Sequence, residues 1–166
     1  MLQNLSRRIL LCTLLIFVSA ITPQDWIGIR TLYRQALTSE MGILPLETKT
    51  KPHAGSDPLA KAYYGTALAL RARASISPTS KLSLASQAQQ QLNAAVILQP
   101  KNLEIRFLRY SFEYGTPSLI NMKKNMAVDK PLALQFAKNP SPIKDIAIAF
   151  FNGCDQLSEA EKSALR

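Results

Sequence analysis

Residues 85–112, ASQAQQQLNAAVILQPKNLEIRFLRYSF, set the architecture of this chain. In their first part Ala85, Ala88, Leu92, Ala95, Val96 and Leu98 or Gln99, with Leu84 just ahead, keep the three-and-four spacing of one helical face. Gln87, Gln89, Gln90, Gln91 and Asn93 fall mostly between them and face water or another chain. Pro100 lacks an amide proton and clashes with the preceding turn, so the helix ends there. Asn102 is an N-cap for a second helix, with Glu104 well placed at its positive end. Ile105, Leu108 and Phe112 form the apolar stripe of that second helix. A connection of about three residues makes the two helices antiparallel neighbours.

Outward from this hairpin the chain repeats one device, a polar cap followed by proline. Thr22-Pro23 opens a helix to about residue 40, with Trp26, Ile29, Tyr33, Ala36 and Leu37 on one face. Asp57-Pro58 opens another to about Ser75, burying Leu59, Ala62, Tyr63, Thr66, Ala67 and Leu70. Thr116-Pro117 and Ser141-Pro142 predict two more, the first with Leu119, Met122 and Met126 facing one way. Residues 130–138 read as a two-turn helix, and Ser158 with Glu161 as the capping box of a last one. Residues 41–56, with Gly42, Pro45, Pro52 and Gly55, read as a long loop. No alternating run of strand length occurs, and alanine is abundant while aromatic residues make up only 7%. The expectation is an all-α chain of six to eight helices arranged as antiparallel hairpins.

Ala88, Leu92, Ala95 and Pro100 stand at the spacing of the second helix and closing proline of a tetratricopeptide repeat, and Tyr64-Gly65 with Leu68 resembles its first helix. The resemblance covers residues 58–112 and implies an α-α superhelix. It departs from the family at two points. Gly65 lies eleven residues too early for an uninterrupted repeat, which predicts an inter-helix loop within 74–82, and Tyr110 fills the next repeat's glycine position. Residues 102–109, NLEIRFLR, are also similar to a segment of a group of exported bacterial proteins, a similarity that implies no activity.

Export is expected from the start of the chain. Arg7 and Arg8 precede an apolar run over 9–18, and Val18-Ser19-Ala20 supplies the small residues of a cleavage site after Ala20. The run is short for a membrane span, which needs about 20 residues. An uncleaved anchor is the alternative; a lipoprotein fits poorly, because Cys12 follows Leu10-Leu11. Residues 1–20 thus read as a signal peptide and 21–166 as one helical domain, periplasmic or secreted, with no membrane span once the signal is cut. That domain carries 18 basic against 11 acidic residues, a formal +7. Such a charge favours anionic partners; export disfavours nucleic acid. Cys154 is the one cysteine outside the signal segment, so no intramolecular disulfide forms there.

No catalytic constellation is recognisable. His53 is the sole histidine, in the 41–56 stretch, and no Cys-x-x-Cys, His-x-x-x-His, Gly-x-Ser-x-Gly or phosphate-cradling glycine loop occurs. Asp57, Asp129 and Asp155 fall at predicted helix ends, where capping explains them. The expectation is a protein–protein interaction module, not an enzyme, with no cofactor and no metal. Its partner is another envelope protein or an anionic ligand. The alternative is a small exported enzyme or small-ligand binder using Cys154, His53 or the aromatic cluster Phe107, Tyr110, Phe112 and Tyr114. The partner-binding candidates are Arg71, Arg73, Arg106 and Arg109, at least one of each pair facing a common groove, together with Tyr110. If Arg106 and Arg109 are surface residues, glutamine at both shifts stability by no more than roughly 0.5 kcal/mol.

Overall fold

Side-chain caps set most of the helix starts. The computed structural model describes residues 21–155 and 157–165; the signal-peptide reading of residues 1–20 lies outside them. The described residues form eight α-helices and three short 3-10 turns, with no strand among them. The helices are α1 (Pro23–Thr38), α2 (Ile43–Thr50), α3 (Pro58–Ala74), α4 (Pro78–Leu98), α5 (Leu103–Gly115), α6 (Met126–Lys138), α7 (Lys144–Asn152) and α8 (Glu159–Ser163). Thr22 and Ser158 close capping boxes with Asp25 and Glu161. The Asp57 carboxylate accepts from the amides of Leu59 at 2.8 Å and Ala60 at 3.0 Å, and Asn102 accepts from Ile105 at 3.1 Å.

Three expected connections differ. Residues 41–56 are largely helical: α2 occupies the middle of the stretch, flanked by the 3-10 turns Glu40–Gly42 and Lys51–His53. Pro45 falls in the first turn of α2, where its missing amide has no intrahelical partner to lose. Ile43, Leu46 and Thr50, three and four apart, are buried on one face. Likewise no long loop fills 74–82, because α3 runs through Ala74 and α4 starts at Pro78 behind the cap Ser77. The extra residues lengthen both helices instead. After Pro117 there is only the 3-10 turn Ser118–Ile120, ended by Asn121 at φ 51°. Leu119 and Met122 therefore share no face: Leu119 is exposed, while Met122 is buried against Ala72 and Ala85. The next helix, α6, begins at Met126 rather than near residue 130.

The order of packing follows the chain. α1 lies on α2, α3 on α4 and α5 on α6; α3 also touches α1, α2 and α5, and α7 lies on α6. Tyr63 of α3 meets Tyr33 of α1 edge-on at 5.5 Å, and Phe107 of α5 meets Phe150 of α7 edge-on at 5.6 Å. The odd-numbered helices thus stand side by side, and one apolar cluster runs through the molecule from Ile29 to Leu165. At the α3–α4 crossing a Cβ on Gly65 would lie 3.0 Å from Leu92 Cγ and 3.1 Å from the Ala88 carbonyl oxygen. Glycine allows that close approach.

Buried carboxylates stitch the layers. Glu104 of α5 receives Arg30 of α1 at 2.8 and 2.9 Å and the Tyr63 hydroxyl at 2.5 Å. Burial first, then the neighbouring carboxylate, pushes the Tyr63 phenol well above its ordinary value. Glu113, fully buried, accepts from the Asn125 amide at 2.7 Å and its side chain at 2.6 Å, fixing the start of α6. Lys49 of α2 donates to Asp25 at 2.8 Å, and this bond with those from Thr22 lowers the Asp25 carboxyl to about 2.

Candidate functional site

The inner faces of α1, α3, α5 and α7, with the first turns of α4, enclose a cup of about 940 Å³. Each of the four helices presents a short stripe to it at helical spacing: Tyr33 and Leu37 from α1, Thr66 and Leu70 with Arg73 from α3, Phe107, Leu108 and Phe112 from α5, and Ile146 with Phe150 from α7. Tyr33, Phe107 and Leu108 are buried beneath it, while Leu37, Phe112, Ile146 and Phe150 are half-buried. The wall is mainly apolar, and its charged side chains are Arg34, Arg73, Lys81 and Asp145.

Two of those four hold each other. The Arg34 guanidinium donates to both oxygens of Asp145 and, at 3.3 Å, to the Pro142 carbonyl, which ties α1 to α7 beside the cup. This contact with Arg34 holds the Asp145 carboxyl below the usual aspartate range. The side chains of Arg73 and Lys81 make no hydrogen bond or ion pair with any described residue. Arg73 is singular in this respect among the described arginines. Arg30 pairs with Glu104, Arg34 with Asp145, Arg71 with Glu47, and both Arg106 and Arg109 with Asp129.

The sequence-derived candidates therefore separate. Arg71 reaches Glu47 of α2 at 2.7 Å and borders a different depression, of about 870 Å³, between α2, α3 and α4. Arg73, two residues on, lines the cup. Arg106 and Arg109 lie on one side of α5, as their spacing requires, but they line neither hollow. Arg106 donates to Asp129 Oδ1 at 2.7 Å; Arg109 donates to the same carboxylate at 2.6 and 2.9 Å and to Asn93 of α4 at 3.1 Å. Asp129 is fully buried. It is more than a helix-end charge, and the two arginines are not free surface residues. The expectation that glutamine at both positions is nearly neutral is corrected accordingly, since it would leave a buried carboxylate without a countercharge.

Tyr110 lies in the core at 1% exposure, stacked on Phe151 at 5.7 Å, and its hydroxyl has no hydrogen-bond partner among the described residues. Burial pushes that phenol up to about 12. Cys154 is buried too and donates weakly to the Phe150 carbonyl at 3.3 Å, and burial raises its thiol. His53 is half-buried at the end of its 3-10 turn. Among the described residues no three His, Cys, Asp or Glu side chains converge in a way that could hold a metal ion, and no helix is long and apolar enough to cross a membrane.

Sequence reasoning names Arg73, Phe107 and Phe112 but passes over Tyr33's cup-facing position, Arg34, Lys81 and Asp145. Arg34 and Lys81 are isolated basic residues with no pattern around them, and Asp145 meets Arg34 across 111 positions of chain. Only the packing of the helices brings Asp145 within reach of Arg34. Comparison with known proteins finds no matching family, no matching curated protein and no matching solved structure.

Proposed function

We propose that this chain is an exported helical interaction module, without chemistry of its own, that receives an anionic and partly apolar partner in the cup. The single observation that carries the reading is the cup itself: apolar wall, concave shape, and the one unpaired described arginine on its side. A volume of about 940 Å³ falls within the range of roughly 300–1,000 Å³ typical of ligand sites. Export is supported by the layout of residues 1–20. The architecture is a tetratricopeptide-like superhelix of hairpins α1/α2, α3/α4 and α5/α6 followed by α7 and α8. The order of packing supports it, as does the close approach of Gly65 to Ala88 and Leu92.

The test uses a photo-crosslinking side chain introduced in living cells. At Leu37 or Ile146, on the cup, it should yield adducts that a cup-filling Ala149→Trp change removes. At Ile97, exposed and not among the cup residues, it should yield none. Equal labelling at Leu37 and Ile97, or adducts indifferent to Ala149→Trp, would sink the reading.

A further inference from the structure

The chemistry of the cup wall narrows what can occupy it. A peptide segment brings a donor and an acceptor at every residue, and each must find a partner when buried. The wall has little to give. Its serine and threonine hydroxyls already donate to their own helices: Thr38 to the Gln35 carbonyl at 3.1 Å, Thr66 to Ala62 at 3.0 Å, Ser111 to Leu108 at 2.9 Å and Thr116 to Phe112 at 2.8 Å. The backbone behind them is helical and bonded within itself except at Thr116 and Pro117, where it is extended. A hydrocarbon chain makes no such demand and removes apolar wall from water.

Charge supplies the other half. Asp145 is matched by Arg34, so Arg73 and Lys81 leave the cup with an unbalanced positive side. Tyr33 lines the same wall, and its phenol makes no hydrogen bond with any described residue. A guanidinium with a free fork, an ammonium and a spare hydroxyl donor match one carboxylate. The lip of the cup continues the apolar theme. Ile76, just before the cup residue Pro78, is 97% exposed, and Leu119, between the cup residues Pro117 and Ile120, is 98% exposed.

We propose that the cup binds a free long-chain fatty acid, with its hydrocarbon along the α1, α3, α5 and α7 wall and its carboxylate on Arg73 and Lys81. This rests on the reading that the cup is the module's binding site, and it names the class of ligand. Isothermal titration calorimetry of the whole chain with palmitate should give one site. Hexadecanol, which has the same chain without the charge, should bind at least about tenfold more weakly, and Arg73→Gln should lose a similar factor. Arg73→Lys should recover part of it. Arg73 is exposed and unpaired, so its substitution leaves the thermal midpoint unchanged and the loss is not one of folding. Ala149→Trp should abolish binding; Ala69→Leu, a smaller filling change on α3, serves if the tryptophan variant unfolds.

No palmitate binding by the native chain overturns the proposal, and so does binding that Arg73→Gln and both filling changes leave intact. If palmitate fails while crosslinking from Leu37 still captures a protein that Ala149→Trp excludes, the fatty-acid assignment falls and the cup reading stands. If neither palmitate nor any cup adduct is found, both fall together.

Discussion

Asp129 carries more of the fold than its place in the first turn of α6 implies. It is fully buried and receives bonds from both Arg106 and Arg109. A charge in that position is tolerable only while its partners remain, and removing one side of such a pair typically costs about 3–5 kcal/mol. Replacing Arg106 and Arg109 together by glutamine is therefore expected to destabilise the chain by about that much. Urea unfolding checks it: the midpoint should fall well below that of the native chain with little change in slope. By contrast Arg73→Gln, at an exposed arginine without an ion pair, should leave stability within about 0.5 kcal/mol of the native chain. Four arginines that look alike in the sequence thus divide into structural and free ones.

Among the elements, α2 shows how packing overrides local breakers. Gly and Pro are dense in this stretch, yet the helix forms because Ile43, Leu46 and Thr50 share a buried face and Pro45 sits where it does no harm. The turn that brings α2 onto α1 depends on Gly42. A Cβ there would stand 2.5 Å from the Ala36 nitrogen and 2.7 Å from the Gln35 carbonyl carbon, both backbone atoms. Its φ is −77°, so the requirement is space and not an unusual dihedral. Gly42→Ala is expected to cost about 1–3 kcal/mol, the usual range for overpacking. Gly28→Ala, where an added Cβ meets nothing within 4 Å, should be neutral or slightly stabilising through helix propensity. Thermal unfolding of the two variants side by side decides the matter, and equal midpoints would refute the close-packed turn.

For the molecule as a whole, the Arg34–Asp145 pair joins the first and seventh helices beside the cup. Arg34 holds the folded-state carboxyl of Asp145 below its ordinary value near 3.8. A depressed folded value means that the pair contributes fully above about pH 4 and is lost as pH falls through the depressed value. Both side chains are substantially exposed, so its share of global stability is small, of order 0–1 kcal/mol. The expected effect is local. Asp145 should titrate by carboxyl NMR below its ordinary value in the native chain and return to it in Arg34→Gln. Asp145→Asn should raise amide exchange at the start of α7 while leaving the α3–α4 hairpin protected. An Asp145 carboxyl that titrates at its ordinary value in the native chain would remove the pair from the account.

The helical class and many of the helix starts are legible in the residues alone, since caps, first-turn prolines and three-and-four apolar spacing act within a few positions. Thr22, Asp57, Asn102 and Ser158 all cap helices as read. The divergence of Arg71 from Arg73 is equally local, because two residues on a helix point different ways. Errors arise where distant segments take over. Residues 41–56 become helical through burial against α1 and α3. The 74–82 stretch is a different case: Ser77 caps α4 from Pro78 while residues 78–83 are exposed, so the signal there is local. The pairing of Arg106 and Arg109 with Asp129, and of Arg34 with Asp145, exists only once the helices are packed. A charge carries no mark in the sequence of whether its counterion lies four residues away or more than a hundred. The cup follows from the same cause: its wall is one stripe from each of four helices together with the first turns of α4, and only their packing makes these a single surface.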